Sequence, residues 1–186
     1  MRKYLEFQRS AQNSSINVDV YLASSLSAGS DLNLKTDVRN TLPKWNEVAA
    51  RNPHLQETTS TSNEEIWVAR ANLDNDPSIA GFANLSNIGA APNYRIQSVV
   101  LYFNTLTTYN RNMDFGCAPV GTGSVCWADA RYVSVHEFGH GEALVHVHKN
   151  ESFARSCAMT FQSPHMVGGQ RQTITNGIIG IYGAYP

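Results

Sequence analysis

Residues 136–146 read HEFGHGEALVH, and no other segment constrains this chain as tightly. His136 and His140 are four positions apart, so an α-helix sets them one turn apart on the same face. Two imidazoles so placed can hold one tetrahedral Zn2+, with Glu137 beside the metal's open position. His146, six residues after His140, is close enough to complete a three-nitrogen site. Three protein ligands leave the fourth position to water, which marks a catalytic rather than a structural zinc.

The pattern upstream of this segment predicts strands and one early helix. INVDVYL (16–22) alternates apolar and polar residues, as a half-buried strand does. Ser30 and Asp31 offer an N-cap to a helix whose apolar face carries Leu34, Val38, Leu42 and Trp45. Pro43 should kink that helix or mark a restart, because it removes a backbone donor. Residues 64–73, 78–86 and 95–104 read as further strands, 78–86 near an edge. Residues 105–127, rich in Asn, Gly and Thr, read as a long loop, and 128–144 as the zinc-bearing helix. Residues 147–172 read as irregular and 173–184 as a last helix. Strands before a zinc helix, then a small helical remainder, predict an α+β fold in which helices pack against a twisted mixed sheet.

Composition narrows the class. At 186 residues the chain fits one domain able to bury its own core, and 42% hydrophobic with 16% charged residues suits a folded globular protein. A net charge of −1 gives no electrostatic case for nucleic acid or an anionic membrane. No apolar run approaches the ~20 residues of a transmembrane helix. The start, MRKYLEFQRSAQ, is basic but lacks the apolar stretch of a signal peptide. Either the export signal lies outside this chain or the protein stays inside the cell; low charge suits a secreted enzyme, so an extracellular location is expected. Cys117 and Cys126 bracket CAPVGTGSVC, whose Pro and Gly residues allow a small disulfide loop. Cys157 is left over and reads as a buried thiol rather than a fourth zinc ligand.

The zinc segment resembles the metzincin metallopeptidases, whose signature is H-E-x-x-H-x-x-G-x-x-H followed by a methionine-containing turn. His136, Glu137, His140 and His146 stand at that spacing, with Ala143 in place of the usual glycine. His148 is the alternative third ligand. Met159, thirteen residues after His146, matches the Met-turn. The C-terminal NGIIGIYGAYP is similar to the closing helix of the matrixin branch through Gly177, Ile178, Ile181, Tyr182 and Gly183. VRNTLPKWNEV looks like the first long helix of matrixins and of bacterial matrixin-like enzymes. Phe161 stands where astacins and serralysins carry a metal-contacting tyrosine.

The resemblance implies a single metallopeptidase catalytic domain over 1–186, with a five-stranded mixed sheet, an active-site helix, a Met-turn and a C-terminal helix. The cleft would run between an upper part (about 1–142) and a lower part (about 143–186). It implies a zinc-dependent endopeptidase with Glu137 as general base and His136, His140 and His146 as metal ligands. Extended peptide would pair with an edge strand, for which 80–86 is the candidate, and residues after Met159 (FQSPHMV) would line the pocket beyond the scissile bond. The partner would be a protein or peptide substrate and the enzyme a monomer. Two other readings compete: a zinc-binding interaction module without catalysis, and a zinc hydrolase of a non-peptide amide. Asp74, Asn75 and Asp76 resemble part of a Ca2+ loop but lack its regular spacing, and read as an ordinary turn; Asp114 and Asp129 are undecided.

Overall fold

The computed structural model describes residues 6–7, 17–28, 33–46, 54–62, 64–86, 95–96, 98–111 and 115–141. Its strands are β1 (Glu6–Phe7), β2 (Asn17–Leu22), β3 (His54–Thr58), β4 (Ile66–Ala71), β5 (Gly81–Ser86), β6 (Arg95–Ile96), β7 (Ser98–Asn104), β8 (Thr107–Asn110), β9 (Gly116–Val120) and β10 (Gly123–Asp129). The helices are α1 (Leu34–Arg39), α2 (Leu42–Asn46) and α3 (Ala130–Gly141), with one 3-10 turn at Ser24–Ser27. The class is α+β, built on a mixed five-stranded sheet in the order β3-β2-β4-β7-β5. β3, β2, β4 and β7 run parallel, and β5 closes one edge antiparallel to β7. Two smaller sheets pair β1 with β6 and order β8-β10-β9.

Alternation in the strands decides which face is covered. Val20 and Leu22 of β2 align with Ile66 and Val68 of β4, which in turn align with Val99 and Leu101 of β7, while Val18 aligns with Leu55 of β3. All of these are at most 3% exposed, and they form one core with Leu34 and Val38 of α1, Leu42 and Trp45 of α2, and Phe138 of α3. Each such side chain stabilises the fold by about 1.5–3 kcal/mol. The bidentate pair between Arg39 and Glu57 is half-exposed and belongs to the class worth ~0–1 kcal/mol, so the covered sheet face carries the stability.

Of the two outcomes expected at Pro43 the structure shows the restart: the early helix stops at Asn40 and resumes at Leu42, with Pro43 in the first turn of α2 where no backbone donor is needed. Other expectations are corrected. The proposed caps Ser30 and Asp31 lie outside the described residues, and Asn33 caps α1 without a side-chain bond. Strand β3 was not expected. Asn46 holds it by donating to the Leu55 carbonyl at 2.9 Å and accepting from the Leu55 amide at 2.8 Å. The segment 105–127 is not a loop throughout, since β8, β9 and most of β10 fall in it. The helix expected over 128–144 begins at Ala130 rather than 128, because Ala128 and Asp129 still belong to β10. The last helix (173–184) and the residues lining a pocket after Met159 lie outside the described residues.

Candidate metal centre

Strand β10 passes straight into α3, and Asp129 makes the join. Its side chain is fully buried, and Oδ1 accepts from the amides of Arg131 (2.8 Å) and Tyr132 (3.4 Å). This is an N-cap, filling donors that the first helical turn leaves without partners. The Arg131 guanidinium balances the buried charge at 2.9 Å. The helix that follows is buried on most of its surface, including Val135, His136, Glu137 and Phe138.

Side chains on a helix lean toward its N-terminus, so residues four apart overlie one another. Tyr132, His136 and His140 form such a stripe. The Nε2 atoms of His136 and His140 stand 3.1 Å apart, with their rings nearly perpendicular at 85°. Two nitrogens each bonded at ~2.0–2.1 Å to one tetrahedral zinc would be separated by about 3.3 Å. The pair therefore fits a shared ion. On its other side the His136 Nδ1 meets the Tyr132 hydroxyl at 3.4 Å. Among the described residues no group of three His, Cys, Asp or Glu converges to hold a metal. His146, its alternative His148, Cys157, and Met159, the expected Met-turn residue, all lie outside them.

Glu137 is 5% exposed, and its Oε2 has no hydrogen-bond partner among the described residues. Burial raises its pKa to about 8. Its other oxygen faces the backbone of β5: a Cβ added to Gly81 would fall 2.6 Å from Glu137 Oε1. Glycine at this position makes the room that the carboxyl occupies.

The start of β5 is held in place from the β7–β8 turn. Asn104, fully buried, donates to the carbonyls of Asp76 (2.7 Å) and Ile79 (2.8 Å). Thr107 Oγ1 donates to the Pro77 carbonyl at 2.9 Å, and the Tyr109 hydroxyl donates to the Ala80 carbonyl. The acidic segment 74–76 is a turn, with Asp74 and Asn75 at positive φ (54° and 55°). Asn75 accepts from the Asn72 amide side chain, and Asp76 accepts from the Ser78 amide and hydroxyl. Cys117 and Cys126 are directly opposed on β9 and β10 and form a disulfide.

The structure thus brings together His136 and His140, and places Glu137 on the same helix, buried against Gly81 of β5. Asp129, undecided from sequence, is the helix cap; Asp114 lies outside the described residues. Tyr132 and Gly81 were missed. The spacing of four that ties His136 to His140 extends back to Tyr132, and that repeat was the available signal. Gly81 falls inside the candidate edge segment, but nothing local marks its closeness to Glu137. No protein-family model matches the chain, and no curated protein matches it. Among the described residues no helix is long and apolar enough to cross a membrane.

Proposed function

We propose that this chain is the catalytic domain of a secreted zinc-dependent endopeptidase of metzincin type, nearest the matrixin-like branch. One observation carries the reading. A buried carboxyl whose Oε2 has no hydrogen-bond partner among the described residues, that of Glu137, stands on the same helix as two imidazole nitrogens converging to 3.1 Å. Leaving a buried polar atom unmade costs about 1–3 kcal/mol, so folding alone gives no reason to keep it there.

His136 and His140 would hold the ion through Nε2, and His146 is the proposed third ligand. When bound, zinc supplies Lewis acidity, lowering the pKa of water toward ~7 and polarising a carbonyl oxygen. Glu137 Oε2 takes a proton from the attacking water and passes it to the amide nitrogen as the C–N bond breaks. Asp129, by capping α3, fixes the direction in which all three side chains project. The edge strand β5 pairs on one side with β7 and, among the described residues, with no strand on the other. An extended peptide can add to that edge by backbone hydrogen bonding. Because a Cβ on Gly81 would fall 2.6 Å from Glu137 Oε1, such a peptide would pass beside the carboxyl that hands a proton to its amide nitrogen. Met159 would form the apolar floor of the ligand cluster.

A zinc module without catalysis is the competing reading, and it leaves without a use the Glu137 Oε2 that has no partner among the described residues. Two measurements on purified protein test the proposal together: zinc content, and digestion of an unbiased peptide library before and after dipicolinate treatment. One zinc per chain and cleavage abolished by the chelator are expected. Zinc without cleavage of any peptide would favour the module, and cleavage restricted to small amides would favour a non-peptide hydrolase.

A further inference from the structure

Tyr132 lies one turn before His136 and takes no part in the proposed chemistry. It is 7% exposed, and its hydroxyl faces His136 Nδ1 at 3.4 Å while His136 Nε2 faces His140 at 3.1 Å. The two nitrogens of one ring therefore have different partners. An imidazole that offers its Nε2 lone pair to a cation carries its proton on Nδ1, and that N–H requires an acceptor. The tyrosine oxygen stands where such an acceptor is needed, in a place with little access to water. Its backbone is also tied into the cap, since the Tyr132 amide donates to Asp129 Oδ1. The ring that carries the hydroxyl thus starts from a fixed point on the helix.

We infer that Tyr132 is a positioning residue of the metal centre. Its hydroxyl oxygen accepts the His136 Nδ1 proton, and so sets the tautomer and ring orientation that present Nε2 to zinc. The inference rests on the metallopeptidase reading and adds a determinant of metal affinity from outside the ligand set. Partners in this position orient metal-bound histidines, and their loss typically costs 10–100-fold in metal affinity.

The test is Tyr132→Phe, which removes one oxygen and keeps the ring. Zinc affinity is measured by competition with a chromophoric chelator, alongside the thermal midpoint of the metal-free protein. Proton and nitrogen NMR of isotope-labelled histidines, in zinc-loaded wild type and variant, gives the tautomer directly. Expected are a 10–100-fold weaker zinc affinity, an unchanged metal-free midpoint, and a displaced His136 Nδ1–H resonance. Equal affinities with an unmoved resonance would overturn the inference, as would a wild-type His136 that keeps its proton on Nε2. A metal-free midpoint lowered in step with the zinc affinity would overturn it too, by showing a packing role. Wild-type protein that takes up no zinc would overturn the metallopeptidase reading itself, an outcome visible without any variant.

Discussion

Glu137 and Gly81 meet across the gap between α3 and β5, so closely that a methyl group on Gly81 would lie 2.6 Å from the glutamate Oε1. The helix supplies the carboxyl and the edge strand supplies the vacancy it fills. Gly81→Ala must push that carboxyl aside, because the strand backbone is fixed by its pairing with β7. Displacement of a catalytic group by ~1 Å can cost on the order of 100-fold in rate. The expected result is a drop of about that size in kcat/KM with zinc content unchanged, read from paired kinetic and metal assays. Full activity in the alanine variant would mean that Glu137 has freedom the structure does not give it.

Removing either imidazole of the converging pair is expected to release the metal. His140→Ala should hold far less than one zinc per chain under conditions that saturate wild type. Metal binding also stabilises the folded state by mass action, by about 4 kcal/mol when free zinc is on the order of 1,000 times Kd. Dipicolinate should therefore lower the wild-type thermal midpoint and leave that of His140→Ala nearly unmoved. A chelator shift of equal size in both proteins would remove His140 from the ligand set.

Asp129→Ala deletes the cap at the start of α3 and leaves the Arg131 guanidinium without its buried partner. Loss of an N-cap costs about 0.5–2 kcal/mol, and the stranded charge adds to that. Urea unfolding should show a loss of about 2 kcal/mol or more. A loss below ~0.5 kcal/mol would contradict the capping role.

The Cys117–Cys126 bond closes a short loop of sequence separation nine. Chain-entropy arguments give about 2–3 kcal/mol for a loop of this length. A Cys117→Ser, Cys126→Ser double variant should unfold at correspondingly lower urea concentration. Zinc uptake should persist, because α3 is capped independently by Asp129.

Glu65 provides a pH test away from the proposed metal site. Burial raises its pKa, partly offset by the Asp19 amide, which donates to Oε2 at 3.1 Å. A carboxyl whose pKa is higher folded than unfolded favours the folded state below the unfolded pKa. That contribution is lost as pH climbs through the raised value. Glu65→Gln should flatten this fall and be at least as stable as wild type at neutral pH, by urea unfolding across a pH series. A deficit in the glutamine variant that grows with pH would reverse the sign.

The parts legible in the sequence were those where a period met a covered surface. Val18, Val20 and Leu22 alternate because one face of β2 is core and the other is not, and the four-residue spacing of His136 and His140 is a helix face. β3 was invisible because Leu55 alone among its residues is buried, so no alternation exists to be read. β9 and the first half of β10 are exposed or half-exposed, and their pairing comes from a tight turn at Gly121 (φ 61°) and the facing cysteines. A search by composition takes such a segment for a loop. The roles of Tyr132 and Gly81 depend on contacts across a turn or between distant elements. Neither residue type announces that contact.

The most direct test of the central claim compares wild type with Glu137→Ala on one peptide library, both proteins first shown to hold one zinc per chain. The account predicts cleavage by wild type and a loss of at least 100-fold in the variant, the scale expected when a general base is removed. An identical digest from the two zinc-loaded proteins would contradict it.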